Sequence, residues 1–244
     1  TIRIDNRVLD VNVGPNSHSI SDHTQTNWNG MIGKMFLAAR SPVYINDVQV
    51  YPDIKNKQVK VRVALNNMTG RSTMVDINIY AILNKKDGSR LPGIRRQIEV
   101  KDSLSVELPY SMGNSPLLWD EFHPNTYSLH VKITDSNQNI DRKTTAFGMR
   151  SFSTEGTQFT INGRKTFLRG TLECAIFPKT GFPPTNVDAW LHIFKICRSY
   201  GLNHMRFHSW CPPEAAFTAA DQMGFYLQIE IDSCANQGSS VGDG

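Results

Sequence analysis

The chain has 244 residues, 39% of them hydrophobic and 20% charged, and a net charge of +4. That length accommodates one large domain or two to three small ones. The basic residues are scattered: Lys57, Lys60 and Arg62 alternate along one run and Arg95-Arg96 stands alone. This is not the basic stripe with interleaved aromatics of a nucleic-acid binder, and no run approaches the roughly 20 apolar residues of a membrane helix.

Thr1-Ile2-Arg3-Ile4-Asp5 is strand-like, with neither an initiator Met nor a signal peptide, and reads as cut from something longer. Residues 1–41 continue as short β-like runs between polar turns. Val8–Val13 alternates, a loop rich in Ser, His, Asn and Thr runs from Gly14 to Gly30, and Met31–Ala38 reads as another strand. So short a stretch cannot easily bury a core alone, which makes it the expected tail of a larger β-domain or a segment packed on the next one.

Residues 42–147 keep a two-residue apolar period through Val48 and Val50, Val59 to Leu65, and Val75 to Ile79, which places those side chains on one face of each strand. Further runs at Arg96–Val100, Ser103–Leu108, Tyr127–Ile133 and Lys143–Phe147 are separated by turn signals such as Asp87-Gly88. About seven short strands in this length fit an immunoglobulin-like β-sandwich without the disulfide of antibody domains. Trp119 is expected in its core. Asn67-Met68-Thr69 is a glycosylation sequon of a kind common by chance.

From Phe152 the pattern changes. Phe159-Thr160-Ile161 and Lys165–Leu168 flank Asn162-Gly163, a hairpin signal because both central residues must take positive φ. Thr185-Asn186-Val187-Asp188 resembles a capping box, and Trp190, Ile193, Phe194 and Cys197 follow at helical spacing up to Gly201. A short strand at Asn203–Phe207, a helix opened by Pro213 and closed by Gly224, and a buried strand at Phe225–Ile229 complete a β, α, β, α, β order. Such an order implies parallel strands with right-handed crossovers. Three parallel strands read as the start of a (β/α)₈ barrel, which takes roughly 250 residues, or else as a small open sheet. Cys174, Cys197, Cys211 and Cys234 form no C-x-x-C pair and read as free thiols. No metal-ligand set is apparent.

Several of these segments resemble family 2 glycoside hydrolases, the β-galactosidase, β-glucuronidase and β-mannosidase group. Phe147-Gly148-Met149-Arg150 resembles the family's junction between sandwich and barrel. Phe159-Thr160-Ile161-Asn162-Gly163-Arg164-Lys165, continuing through Phe167-Leu168-Arg169-Gly170, is similar to its hairpin and first barrel strand. Pro116-Leu117-Leu118-Trp119-Asp120 with Pro124-Asn125-Thr126-Tyr127-Ser128-Leu129 resembles its sandwich motif. Asn203-His204-Met205-Arg206, and Gly224-Phe225-Tyr226-Leu227 to Glu230, resemble its second and third strands. Asn29–Gly33 is weakly similar to the end of its jelly-roll domain.

The resemblance implies a multidomain, mainly β protein: residues 1–41 the C-terminal part of a jelly-roll sugar-binding domain, 42–147 the sandwich, and 148–244 the N-terminal part of a TIM-barrel catalytic domain. It implies a retaining, exo-acting glycosidase for β-linked sugars. That chemistry needs two carboxyl groups about 5 Å apart, which the family places after its fourth and seventh barrel strands. No catalytic residue is therefore expected within this chain, which is expected to be inactive alone.

The expected supports of the pocket lie at strand ends. The resemblance implies that Arg206 holds the nucleophilic carboxylate and that Glu230, at the end of the third strand, is an acid supporting the pocket. His208 either meets a sugar hydroxyl or is a structural histidine, and Trp210 either stacks on a sugar ring or packs beneath Cys211-Pro212-Pro213. Glu173 ends the first strand. Asp232 reads as a loop residue, and His18, His23 and Trp28 as a surface loop. The segments Thr171–Pro178 and Phe207–Pro212 depart from the family's His-rich and Ser-His-Tyr-Pro stretches, so its substrate choice does not carry over. The implied partners are a carbohydrate substrate, the remainder of the chain's own barrel and a homo-oligomer, with no cofactor, no nucleic acid and no membrane. Polysaccharide-degrading relatives imply a periplasmic or extracellular location. The alternative reading is a non-catalytic carbohydrate-binding or purely structural β-sandwich module.

Overall fold

The computed structural model describes residues 2–4 and 30–230. The chain is mainly β, its sheets are not closed, and it divides into two compact units, one of Phe36–Phe167 and the other formed mainly by the residues from Leu168 onward. The runs at Val8–Val13, the loop with His18, His23 and Trp28, and Asp232 and Cys234 lie outside the described residues. Met31–Ala38, expected as a strand, forms none: the first strand among the described residues begins at Val43. Its apolar side chains face solvent, with Phe36 82% exposed, and no neighbouring strand pairs its backbone among the described residues.

The unit Phe36–Phe167 holds β1 (Val43–Asp53), β2 (Gln58–Asn67), β3 (Thr73–Leu83), β4 (Ile94–Val100), β5 (Ser103–Ser111), β6 (Thr126–Asp135) and β7 (Ile140–Gly148). They pair antiparallel in two sheets, ordered β1-β2-β5 and β4-β3-β6-β7. The apolar alternation explains the arrangement. Val59, Val61, Val63 and Leu65 of β2 and Val75, Ile77, Ile79 and Ala81 of β3 all point into one shared core, while their polar neighbours point out. Tyr110 joins the two sheets from within. Its hydroxyl accepts the Ala81 N–H at 3.0 Å and donates to the Pro92 carbonyl at 3.0 Å. The sequon residue Asn67 is buried, and its Nδ2 is spent on the carbonyls of Arg71 and Val100 at 2.7 and 2.9 Å, so the amide is not presented for glycosylation.

A small sheet ordered β10-β9-β8 follows, from β8 (Phe152–Glu155), β9 (Gln158–Ile161) and β10 (Arg164–Thr166). Asn162 and Gly163 take φ of 54° and 77°, as the two-residue hairpin demands. Trp119, buried as expected, packs at this end of the unit rather than within the shared core of the two sheets. A Cβ on Gly148 would come within 2.8 Å of its side chain, the Arg150 guanidinium lies 5.0 Å from its ring, and its carbonyl accepts from Asn162 Nδ2 at 3.0 Å. Buried Asp120 accepts the N–H groups of Phe122 and His123 at 2.9 and 2.8 Å and pairs with Arg164 of the hairpin. Burial acts to raise this carboxyl, but those N–H groups and the guanidinium outweigh it and hold it below the usual range.

The second unit contains β11 (Gly170–Glu173), α1 (Val187–Ser199), β12 (His204–Phe207), α2 (Glu214–Met223) and β13 (Tyr226–Ile229). The strands are parallel in the order β11-β12-β13. The cap of α1 is Asn186, one residue later than the spacing predicts: its side chain accepts from Ala189 N at 2.9 Å. Gly201 and Gly224 end the two helices with left-handed backbone, at φ 77° and 72°. Trp190, Phe194 and Cys197 of α1 and the alanines of α2 bury Met205, Phe207 and Phe225 against them.

Candidate active-site rim at the strand ends

The three parallel strands are tied at both ends. At the entry ends Asn203, only 2% exposed, accepts the Arg169 N–H on Oδ1 at 2.8 Å and returns its own N–H to the Arg169 carbonyl at 2.9 Å. Its carbonyl receives the Tyr226 N–H at 2.8 Å. Beside it the His204 ring occupies the space a side chain at Gly170 would need, since a Cβ there would meet Nδ1 at 2.4 Å. Burial lowers the His204 pKa.

Strand alternation sorts the rest. Met205 and Phe207 face the helices, so Arg206 between them faces the opposite side of the sheet, in register with Leu172 and Gln228. Arg206 Nε donates to Glu230 Oε1, and Glu230 Oε2 accepts the Ser209 N–H at 2.9 Å. With both oxygens occupied by donors, Glu230 is held below the usual carboxylate range, first by Arg206 and then by Ser209.

Glu173 behaves differently. Its carboxylate accepts the N–H groups of Ala175 and Ile176 at 3.0 and 3.3 Å. Burial nonetheless pushes its pKa up, outweighing those N–H groups and the Trp210 indole, which act to lower it. Its backbone carbonyl receives the His208 N–H at 2.9 Å and the Trp210 indole Nε1 at 3.3 Å.

The strand ends thus gather Glu173, Arg206, His208, Trp210 and Glu230, the five residues singled out in the sequence. Trp210 is 8% exposed, with its ring edge-on to Phe177 and Phe207 at centroid distances of 6.1 and 5.3 Å, so its indole serves as packing and as a donor to Glu173. Two neighbours were not foreseen. Cys174 Sγ lies 3.7 Å from His208 Nδ1, and its thiol is pushed up by burial and by Glu173, with Arg206 acting the other way. Ser209 is buried with φ 61°, a backbone conformation that only the folded loop reveals. Among the described residues no group of three or more His, Cys, Asp or Glu could hold a metal ion.

The rim is a set of charged and hydrogen-bonding groups fixed at the carboxyl ends of parallel strands, which is where α/β folds place their ligand sites. Residues 43–150 match the family described as glycosyl hydrolases family 2. A β-galactosidase of Bacteroides ovatus is 24% identical over 206 residues, which is 82% of this chain and 24% of that protein. Among solved structures, Bacteroides uniformis β-glucuronidase 2 aligns over 78% of this chain and 24% of its own, with a TM-score of 0.67 at 17% identity. A family 2 member from Bacteroides cellulosilyticus aligns over 79% of this chain and 25% of its own, with a TM-score of 0.66 at 16% identity. The relatives of this chain are glycosidases. Residues 43–150 thus carry the match to glycosyl hydrolases family 2, and the chain spans about a quarter of the length of the relatives named above.

Proposed function

We propose that this chain is part of a retaining, exo-acting glycoside hydrolase that removes β-linked sugars, and that it supplies one arc of the pocket rim rather than the reacting carboxylates. The observation that carries this reading is the convergence of Glu173, Arg206, His208 and Glu230 at the ends of three parallel strands. Two sheets ordered β1-β2-β5 and β4-β3-β6-β7 around one core support an immunoglobulin-like sandwich for residues 42–147. The βαβαβ unit supports a (β/α)₈ barrel begun within residues 148–244, and residues 1–41 are assigned to the end of a jelly roll. Retaining hydrolysis needs one carboxyl to protonate the leaving oxygen and a second to attack the anomeric carbon. Glu230 is engaged by Arg206 and Ser209, and Glu173 by two backbone N–H groups, so both act as supports and the reacting pair comes from sequence outside this chain. No cofactor is required by that chemistry. Sugar is the partner at the rim, and the setting assigned to it is periplasmic or extracellular.

The test uses aryl β-galactoside, β-glucuronide and β-mannoside substrates. The 244-residue chain is expected to give no turnover, while a longer polypeptide that continues it past Gly244 hydrolyses one of them and loses at least tenfold in kcat/KM on Arg206→Ala (about 1.4 kcal/mol). Turnover by the chain itself, or an unchanged Arg206→Ala enzyme, overturns the reading.

A further inference from the structure

Two loops leave the carboxyl ends of the parallel strands, one after β11 and one after β12. Each contains a non-glycine residue in the left-handed region, Ala175 at φ 58° and Ser209 at φ 61°. Side chains rarely adopt that conformation, which costs on the order of 1 kcal/mol and persists only where the surroundings enforce it. In both loops the strained residue donates its N–H to a strand-end carboxylate. Ala175 gives its N–H to Glu173 Oε2 at 3.0 Å, and Ser209 gives its N–H to Glu230 Oε2 at 2.9 Å. The segment Arg206–Trp210 is then held from both sides. His208 N–H and the Trp210 indole reach the Glu173 carbonyl, while Arg206 and Ser209 reach the Glu230 carboxylate.

We propose that Glu173 and Glu230 are a pair of positioning residues, each locking the left-handed turn of one rim loop, so that together they set where Cys174, His208 and Arg206 stand at the pocket mouth. This deepens the glycosidase reading and rests on it only in calling those loops a pocket rim. The two locks differ chemically. Glu230 is shared between a cation and one N–H, whereas Glu173 relies on two N–H groups in a drier setting. Cys174 is a built-in reporter, because its thiol feels the charges of Glu173, Arg206 and Glu230 together.

The experiment is amide hydrogen exchange on the 244-residue chain, with iodoacetamide labelling of Cys174 followed by peptide mass spectrometry. Glu230→Ala is expected to speed exchange at Ser209 by about tenfold and leave Ala175 unchanged, and Glu173→Ala to do the reverse at Ala175 and Ile176. Removal of either carboxylate is expected to raise the Cys174 alkylation rate severalfold, since one negative charge beside the thiol is gone. Should an alanine variant fail to fold, Glu230→Gln and Glu173→Gln keep the shape and one acceptor oxygen, and are expected to show the same site-selective pattern at smaller size. Exchange unchanged at both loops, or loosened equally at both by either variant, overturns the proposal. Turnover is not read, so a failed glycosidase assay leaves this result standing and a failed lock leaves the glycosidase reading standing.

Discussion

The two units of this chain satisfy the same apolar periodicity in opposite ways. In the unit Phe36–Phe167 two antiparallel sheets bury each other's inner faces, and the core is complete within the unit. In the parallel sheet the helices cover one face, while the other presents Leu172, 50% exposed, with Arg206 and Gln228 in the same row. Parallel sheets are ordinarily buried on both faces. The chemistry-bearing residues gather at the ends of the sheet that is less self-sufficient, and the sandwich carries regularity instead. Substitutions in the two regions should therefore have separable effects.

The largest expected effects come from the cores. Ile77→Ala should cost about 2–5 kcal/mol and Phe207→Ala about 3–5 kcal/mol. In calorimetry each should lower a different transition; one transition moved by both would erase the contrast. Next is Asp120→Ala, which strands the N–H groups of Phe122 and His123 and should cost about 1–3 kcal/mol, felt by the sandwich transition alone. Its carboxyl is held low in the fold, so its contribution is complete above the ordinary carboxylate range and lost as pH falls through it, which urea midpoints at stepped pH would show.

Smaller effects sharpen the comparison within the rim. Glu230 is held below its ordinary value of 4.5, so the wild-type advantage over Glu230→Gln should be present above that value and fade as pH drops. Glu173 is raised above 4.5 by burial, so the sign reverses. Wild type should gain on Glu173→Gln as pH falls, and lose that gain as pH rises through the raised pKa. Parallel pH dependences for the two variants would contradict the environments described for them. The smallest change is Ser209→Gly, which relieves a left-handed residue and should move the urea midpoint upward by less than about 1 kcal/mol equivalent.

Local pattern alone was enough for the sandwich strands, the Asn162-Gly163 turn, both helices and the parallel order, because periods of 2 and 3.6 residues and left-handed glycines are written into neighbouring residues. Glu173, Arg206, His208, Trp210 and Glu230 were singled out with the help of the family resemblance, and the structure places them at the strand ends. Local pattern failed at Met31–Ala38, where an apolar run lacks a pairing neighbour among the described residues, since a strand is a property of two segments and not of one. Tertiary structure alone decided that Glu230 binds both Arg206 and Ser209, that the Trp210 ring packs against Phe177 and Phe207, and that Cys174 meets His208. Those contacts join residues up to 34 positions apart. No local preference encodes them, because they depend on the register of three strands and on loops whose backbone is set only when all three are in place.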